Sequence, residues 1–254
     1  MASYFITGAS RGLGLDLVRS LATEPATKVS IVYAAARSQT DALKQLFINA
    51  AGRVVIVPLD VDSEMSIKSA VGHVERSQGN KGLDVLINVA GIMTHIPQGI
   101  AAMDARDLNY IFNTNVTGVH LVTRSFLPLL KQGTLKKVIN YSSTLGSIGV
   151  APAMAVQDSP SYKVSKAALN MLTVQYALSF ADEGFTFTVL NPGWVKTELG
   201  GDNADIDIET STEAVLDLIS RVGRQDNGKF FNIRVPAFDH RPEAFQYAGK
   251  EIPW

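Results

Sequence analysis

The sequence predicts a doubly wound α/β fold, a single parallel sheet with helices on both faces. Two observations lead there. Short apolar, β-branched runs alternate along the whole chain with stretches of helical periodicity. The runs are apolar at nearly every position rather than at every second one, as suits strands buried on both faces.

Taken in order, the first run, Tyr4–Thr7, leads through a glycine-rich turn into a helix over 12–23, where Leu15, Leu17, Val18 and Leu21 recur at helical spacing. Strands follow at Val29–Ala35, Val54–Pro58, Val85–Asn88, Lys137–Tyr141, Thr186–Leu190 and Lys229–Ile233, making seven. Helices are expected between them over 40–50, 63–77, 103–131, 162–182 and 212–223. Right-handed crossovers then place any ligand at the carboxyl ends of the strands, near the topological switch point. Residues 1–254 show no internal repeat, low-complexity tract or linker, so one domain is expected. Two segments are irregular, Ser147–Pro160 and Glu198–Ser211, and a tail over 234–254 has no legible path.

Bulk properties narrow the function classes. A chain of 254 residues, 46% hydrophobic and 19% charged, is ordinary for a globular protein of one sizeable core. The net charge of −1 gives no electrostatic case for nucleic acid or an anionic membrane. No apolar stretch approaches the ~18 residues of a membrane span, and the first strand begins almost at Met1, leaving no room for a leader peptide. There is no cysteine, and the four histidines lack metal-binding spacing. A cytoplasmic protein without a metal is the expectation.

Two local patterns carry chemistry. Thr7-Gly8-Ala9-Ser10-Arg11-Gly12-Leu13-Gly14 sits between strand and helix. Glycines there allow close backbone approach, and the helix N-terminus offers free N–H groups to a pyrophosphate. The spacing is TGxxxGxG and not GxGxxG. The second pattern is Tyr162 and Lys166, four apart in SYKVSKAALN and so on one helix face. A phenol has a pKa of about 10, and an ammonium within about 4–6 Å lowers it. A three-unit shift corresponds to roughly 4 kcal/mol and would let the tyrosine exchange a proton near pH 7.

With these two patterns stand Asp60-Val61, Asn88-Val89-Ala90-Gly91, Asn115, Ser143 and Asn191-Pro192-Gly193, in that order. Together they resemble the short-chain dehydrogenase/reductase family over nearly the whole chain. The ending Gly249-Lys250-Glu251-Ile252-Pro253-Trp254 is similar to that of its sniffer-like carbonyl reductases and fungal polyketide ketoreductases. The resemblance implies a Rossmann-type fold and an NADP(H)-dependent oxidoreductase acting on a C=O or CH–OH group. Val89 stands where the family usually has a second Asn, which puts one turn-stabilising hydrogen bond in doubt.

The resemblance implies Tyr162 as the acid, with Lys166 lowering its pKa and bonding the nicotinamide ribose. Ser143 would hold the substrate oxygen. Ser142 competes for that role, but the family's Ser-x-x-Gly selects Ser143 with Gly146. Asn115 would kink its helix and pass protons through water towards Lys166. The spacing from Ser143 to Tyr162 is longer than usual for the family, so the loop between them carries an insertion.

Cofactor choice follows from charge. An NAD-binding member has an acid at the end of the second strand. Here that strand ends Ala34-Ala35-Ala36-Arg37-Ser38, and a guanidinium suits a 2′-phosphate. Arg11 can approach the same phosphate. Gly8, Ser10, Gly12, Leu13 and Gly14 would cradle the pyrophosphate. Asp60 and Val61 would border the adenine, and Asn88, Ala90 and Gly91 the adenosine side. Pro192, Gly193, Val195 and Thr197 would hold the carboxamide. On the substrate side, Ile92, Met93, His95, Val150, Met154 and Trp194 flank the motifs. They suggest a hydrophobic, aromatic or polyketide-like ketone.

Two other functions fit parts of the sequence. Gly8–Gly12 also reads GxSxG, a hydrolase elbow with Ser10 as nucleophile and His240 as partner, but no oxyanion motif accompanies it. A non-catalytic NADPH-binding regulator on the same fold is the second. The family often pairs the helices expected at 103–131 and 162–182 across a two-fold axis, which implies a homodimer or homotetramer.

Overall fold

Seven strands, β1 (Ala2–Thr7), β2 (Val29–Ala36), β3 (Val54–Pro58), β4 (Val85–Asn88), β5 (Lys137–Tyr141), β6 (Thr186–Asn191) and β7 (Phe230–Asn232), pair in parallel in the order β3-β2-β1-β4-β5-β6-β7. The computed structural model describes every residue of the chain except Val156, and every other side chain except that of Asn80. Helices α1 (Gly12–Thr23), α2 (Asp41–Asn49) and α7 (Ile208–Arg221) contribute to one core layer. Helices α3 (Glu64–Gln78), α5 (Val119–Gln132) and α6 (Pro160–Ser179) contribute to the other. The short helix α4 (Ala105–Phe112) leads into α5. Among the described residues no helix is long and apolar enough to cross a membrane.

The near-continuous apolar strands have a direct structural reason. Neighbouring residues on a strand point to opposite faces. Phe5, Tyr33, Leu86 and Val138 therefore enter the layer under α3 and α5, while Ile6, Ala34, Ile87 and Ile139 enter the layer under α1 and α7. Phe5 and Phe126 of α5 anchor the first layer with ring centroids 4.3 Å apart. Strand order reverses between β1 and β4, so the segments after these strands open the crevice where ligands of such sheets bind.

Several boundaries differ from expectation. The helix expected over 103–131 is interrupted by a π-helical turn at Asn113–Gly118 between α4 and α5. Helix α6 starts earlier than 162, with Pro160 in its first turn where a missing N–H costs nothing. Helix α7 starts at Ile208 because Asp207 caps it, accepting from Thr210 N at 2.7 Å. The irregular segment expected over Glu198–Ser211 therefore ends at 207. The segment Ser147–Pro160 contains a short 3₁₀ turn at Ala151–Met154, and its residue Val156 lies outside the described residues. The tail folds back antiparallel beside β7, through bridges Phe231–Glu251 and Arg234–Ala248.

Candidate active site

The expected residues converge at the carboxyl ends of the central strands. After β1, Gly8 has φ of +70°, and a Cβ there would sit 2.9 Å from Ala90 N. Only glycine lets the segments after β1 and β4 approach this closely. A Cβ on Gly14 would strike the Gly8 carbonyl, so the loop closes tightly onto the start of α1. Thr7, which sequence reasoning passed over, holds the facing turn. Its Oγ1 accepts from Val89 N at 3.0 Å and Ala90 N at 3.1 Å. The turn thus has a side-chain anchor although Val89 cannot supply one.

Arg37 is exposed at the end of β2. The loop that carries it is tied to the glycine turn, because Thr40 Oγ1 donates to the Ser10 carbonyl at 2.7 Å. Arg11 precedes α1 and pairs with Glu198 at 2.9 Å, both side chains being largely exposed. Leu13 packs on the core below, and Gly12 faces the Thr197 methyl, 3.6 Å from where a Cβ would stand. After β3, Asp60 caps its own turn by accepting from Asp62 N at 3.1 Å, and the Val61 carbonyl lies against Gly118.

The Asn88 side chain turns into the interior, donating to Asn140 Oδ1 at 2.8 Å and Thr123 Oγ1 at 3.2 Å. Asn140 in turn donates to Thr173 Oγ1 at 2.8 Å. This network satisfies buried amides between β4, β5, α5 and α6.

Around the Tyr–Lys pair the geometry is tight. Lys166 Nζ donates to the Tyr141 carbonyl at 2.7 Å and lies 5.4 Å from the centre of the Tyr162 ring. Gly146 is where α6 crosses the turn after β5, and a Cβ there would be 2.6 Å from Lys166 Cβ. Of the two serines, Ser142 is committed to structure, its hydroxyl donating to Asn170 Oδ1 at 2.7 Å. The Ser143 hydroxyl accepts from the amide of Leu145 at 3.2 Å and neighbours the Tyr162 phenol. Asn115 sits in the π-helical turn and grips the Ile92 backbone twice, accepting from its N–H and donating to its carbonyl at 2.9 Å each. It also donates to Ser165 Oγ at 3.0 Å.

The electrostatics differ from the expected lowering of the phenol's pKa by Lys166. Burial dominates both groups. It pushes Tyr162 well above the ordinary phenol value, with the Ser143 hydroxyl opposing, and pushes Lys166 down to about 8. Desolvation thus biases both groups towards their neutral forms.

Residues 3–206 match the family model described as short chain dehydrogenase. The chain is a member of that family. Among its relatives, the short-chain dehydrogenase srdF of Neurospora crassa is 31% identical, over 98% of this chain and 96% of its own. The NADPH-bound carbonyl reductase from chicken fatty liver is 31% identical with a TM-score of 0.86, covering 100% of this chain and 99% of its own. The carbonyl reductase Sniffer of D. melanogaster is 30% identical with a TM-score of 0.86, over 100% of both chains.

In this short-chain dehydrogenase the flanks of the site are fastened at identifiable points. Residues 92–96 are clipped to the segment entering α6, through Ile96 N to the Asp158 carbonyl at 2.8 Å and His95 Nδ1 with Ser159 Oγ at 3.3 Å. His95 is thereby held against the segment that leads into α6 and Tyr162, and Met93 nearby in the chain is half-buried. Met154 is half-buried and its carbonyl accepts from Lys163 Nζ at 2.8 Å. After β6, Gly193 has φ of +85° and Pro192 is fixed by Ser211 Oγ, 2.7 Å from its carbonyl. Val195 is buried, and Thr197 Oγ1 accepts from Gly200 N at 3.0 Å. Trp194 is 47% exposed and donates from its ring to the Gly200 carbonyl at 2.7 Å.

Proposed function

We propose that this short-chain dehydrogenase is an NADPH-dependent carbonyl reductase that reduces a hydrophobic, aromatic or polyketide-like ketone, or runs the reverse alcohol oxidation. The observation that carries the reading is the buried Tyr162 phenol beside Ser143 and Lys166, at the strand ends that also bear the glycine turn. A reduction consumes a proton at the carbonyl oxygen, and the Tyr162 hydroxyl, protonated near neutral pH, would supply it.

The cradle fits a dinucleotide. Gly8, Ser10, Gly12, Leu13 and Gly14 would hold the pyrophosphate, with free amides at the start of α1. Arg37 and Arg11 would take the 2′-phosphate, since β2 ends without a carboxylate and a guanidinium pairs well with a phosphate. Asp60, Val61, Ala90, Gly91 and the Asn88 backbone would border the adenosine. Pro192, Gly193, Val195 and Thr197 would hold the carboxamide, and Lys166 the nearby ribose. The relative from chicken fatty liver, a carbonyl reductase bound to NADPH, supports this choice.

When bound, the reduced nicotinamide supplies hydride to the carbonyl carbon. Ser143 would donate a hydrogen bond to the carbonyl oxygen, and the Tyr162 hydroxyl would pass its proton to that oxygen as the alkoxide forms. The resulting phenolate would be held by the Lys166 ammonium, which is the favoured form below its pKa of about 8. Asn115 would keep the region of Lys166 in place by gripping Ile92. Met93, His95, Met154 and Trp194 would line the ketone site.

Following NADPH oxidation against a panel of aromatic and polyketide-like ketones tests the reading. Turnover of at least one member, lost in Tyr162→Phe, is expected. No turnover with any ketone, despite tight NADPH binding, would favour a non-catalytic binder.

A further inference from the structure

The two irregular segments beside the site come from different strands and are distant in sequence, yet one stretch of chain fastens both. That stretch is 246–254, which runs antiparallel beside β7. Asn232 N donates to the Lys250 carbonyl at 2.9 Å, Ile252 N to the Phe230 carbonyl at 2.7 Å, and Gly249 N to the Ile233 carbonyl at 2.9 Å. Ile252 is buried with Val189 and Phe230, and the Trp254 ring stacks on Phe230 at 5.7 Å. The strap is thus seated on the sheet edge by backbone ladder and apolar contact.

Its far end grips the segment after Ser143. The Ser147 hydroxyl, itself buried, donates to the Pro253 carbonyl at 2.5 Å and accepts from Val150 N at 3.2 Å. Gly149 N donates to the main-chain oxygen of Trp254 at 2.8 Å. Ser147 ends the 3₁₀ turn that Ser143 begins, so its tether bears directly on the position of Ser143. The near end of the strap grips the other segment. The Tyr247 hydroxyl accepts from Trp194 N at 3.1 Å and donates to Asp205 Oδ2 at 2.7 Å, joining the two ends of the loop after β6. The Tyr247 ring also stands beside Gly193, 3.4 Å from where a Cβ would lie.

We propose that residues 246–254 form a strap that couples the two walls of the substrate cleft, with Ser147 and Tyr247 as positioning residues acting on Ser143 and Trp194. Each wall alone is a loop, whose backbone opens more readily than the sheet does. Sharing one strap makes the opening of one wall weaken the anchorage of the other. That these segments are substrate walls rests on the carbonyl-reductase reading. That they are coupled does not.

Hydrogen exchange on the full-length protein tests the coupling without any substrate. In Ser147→Ala, amides of 144–150 should exchange about five-fold faster, the effect of losing one ordinary hydrogen bond. Amides of 194–206 should also accelerate, while β1 and β4 keep their protection. In Tyr247→Phe the order reverses, with 194–206 loosened most and 144–150 following. Trp254→Ala, which removes the stack on Phe230, should loosen both and stands in if Ser147→Ala does not fold. Acceleration confined in every variant to the nearer wall would overturn the proposal. With acetophenone and 1-tetralone as probes, the same substitutions should raise KM several-fold more than they lower kcat. A wild-type protein that reduces no ketone would remove the substrate reading, and the exchange pattern would still decide the strap.

Discussion

Lys166 is buried and, among the described residues, forms no ion pair with a carboxylate, which makes its ionisation a measurable part of stability. Its folded pKa is lowered by burial from 10.5 to about 8. Between those values the unfolded lysine is protonated and the folded one is not, so the unfolded state binds more protons and stability rises with pH. Below pH 8 both states are protonated and the full penalty applies, on the order of 3 kcal/mol; above 10.5 it vanishes. Replacing the ammonium in Lys166→Met removes this dependence. Urea unfolding of both proteins between pH 7 and pH 10, without NADPH, isolates it. The stability of wild type minus that of the variant should climb with pH over that range, by an amount on the order of 2–3 kcal/mol. A flat difference would mean that the fold already compensates the ammonium, and that the electrostatic picture of the Tyr–Lys pair is wrong.

Three further outcomes follow from the same geometry. Arg37→Ala should weaken NADPH binding by about 10- to 150-fold and leave NADH almost unchanged, as loss of one charge-assisted contact predicts, and cofactor titration by fluorescence reads both. Glu198→Gln frees Arg11 from its exposed partner and should tighten NADPH binding, by no more than about five-fold given the small worth of exposed pairs; weaker binding would show that Glu198 supports the loop and does not compete for Arg11. Phe126→Ala empties a buried position against Phe5 and should cost about 3–5 kcal/mol in denaturant unfolding without altering cofactor preference.

What the sequence disclosed and what it hid divide along physical lines. Local and ordered signals were legible. The glycine turn lies between β1 and α1 as expected, because its residues are contiguous and their spacing encodes the turn. Tyr162 and Lys166 share a helix face because four residues make about one turn. Contacts distant in sequence were not legible. Nothing in the composition of 246–254 says that it pairs antiparallel with β7, and Thr7 looks like an ordinary strand end until Val89 and Ala90 are seen bonded to it. The family resemblance implies a kink at Asn115, but apolar periodicity reports the face of a helix and not its hydrogen-bond register, so the π-helical form of 113–118 is not legible. The motif around Asn88 does not reveal that its amide is spent on Asn140 and Thr123 in the interior. Spacing likewise gives the proximity of Lys166 to Tyr162, but only the packed structure gives the desolvation that raises the phenol and lowers the ammonium.

The proton donor is the centre of the account, and single-turnover kinetics of Tyr162→Phe test it most directly. The phenyl ring keeps the packing around α6 and deletes only the hydroxyl. With NADPH prebound and a ketone that the wild-type protein reduces, the chemical step should slow by about 10²- to 10⁴-fold while NADPH affinity stays within a few-fold of wild type. A variant that retains more than about a tenth of the wild-type chemical rate would contradict the assignment, since another group would then be delivering the proton.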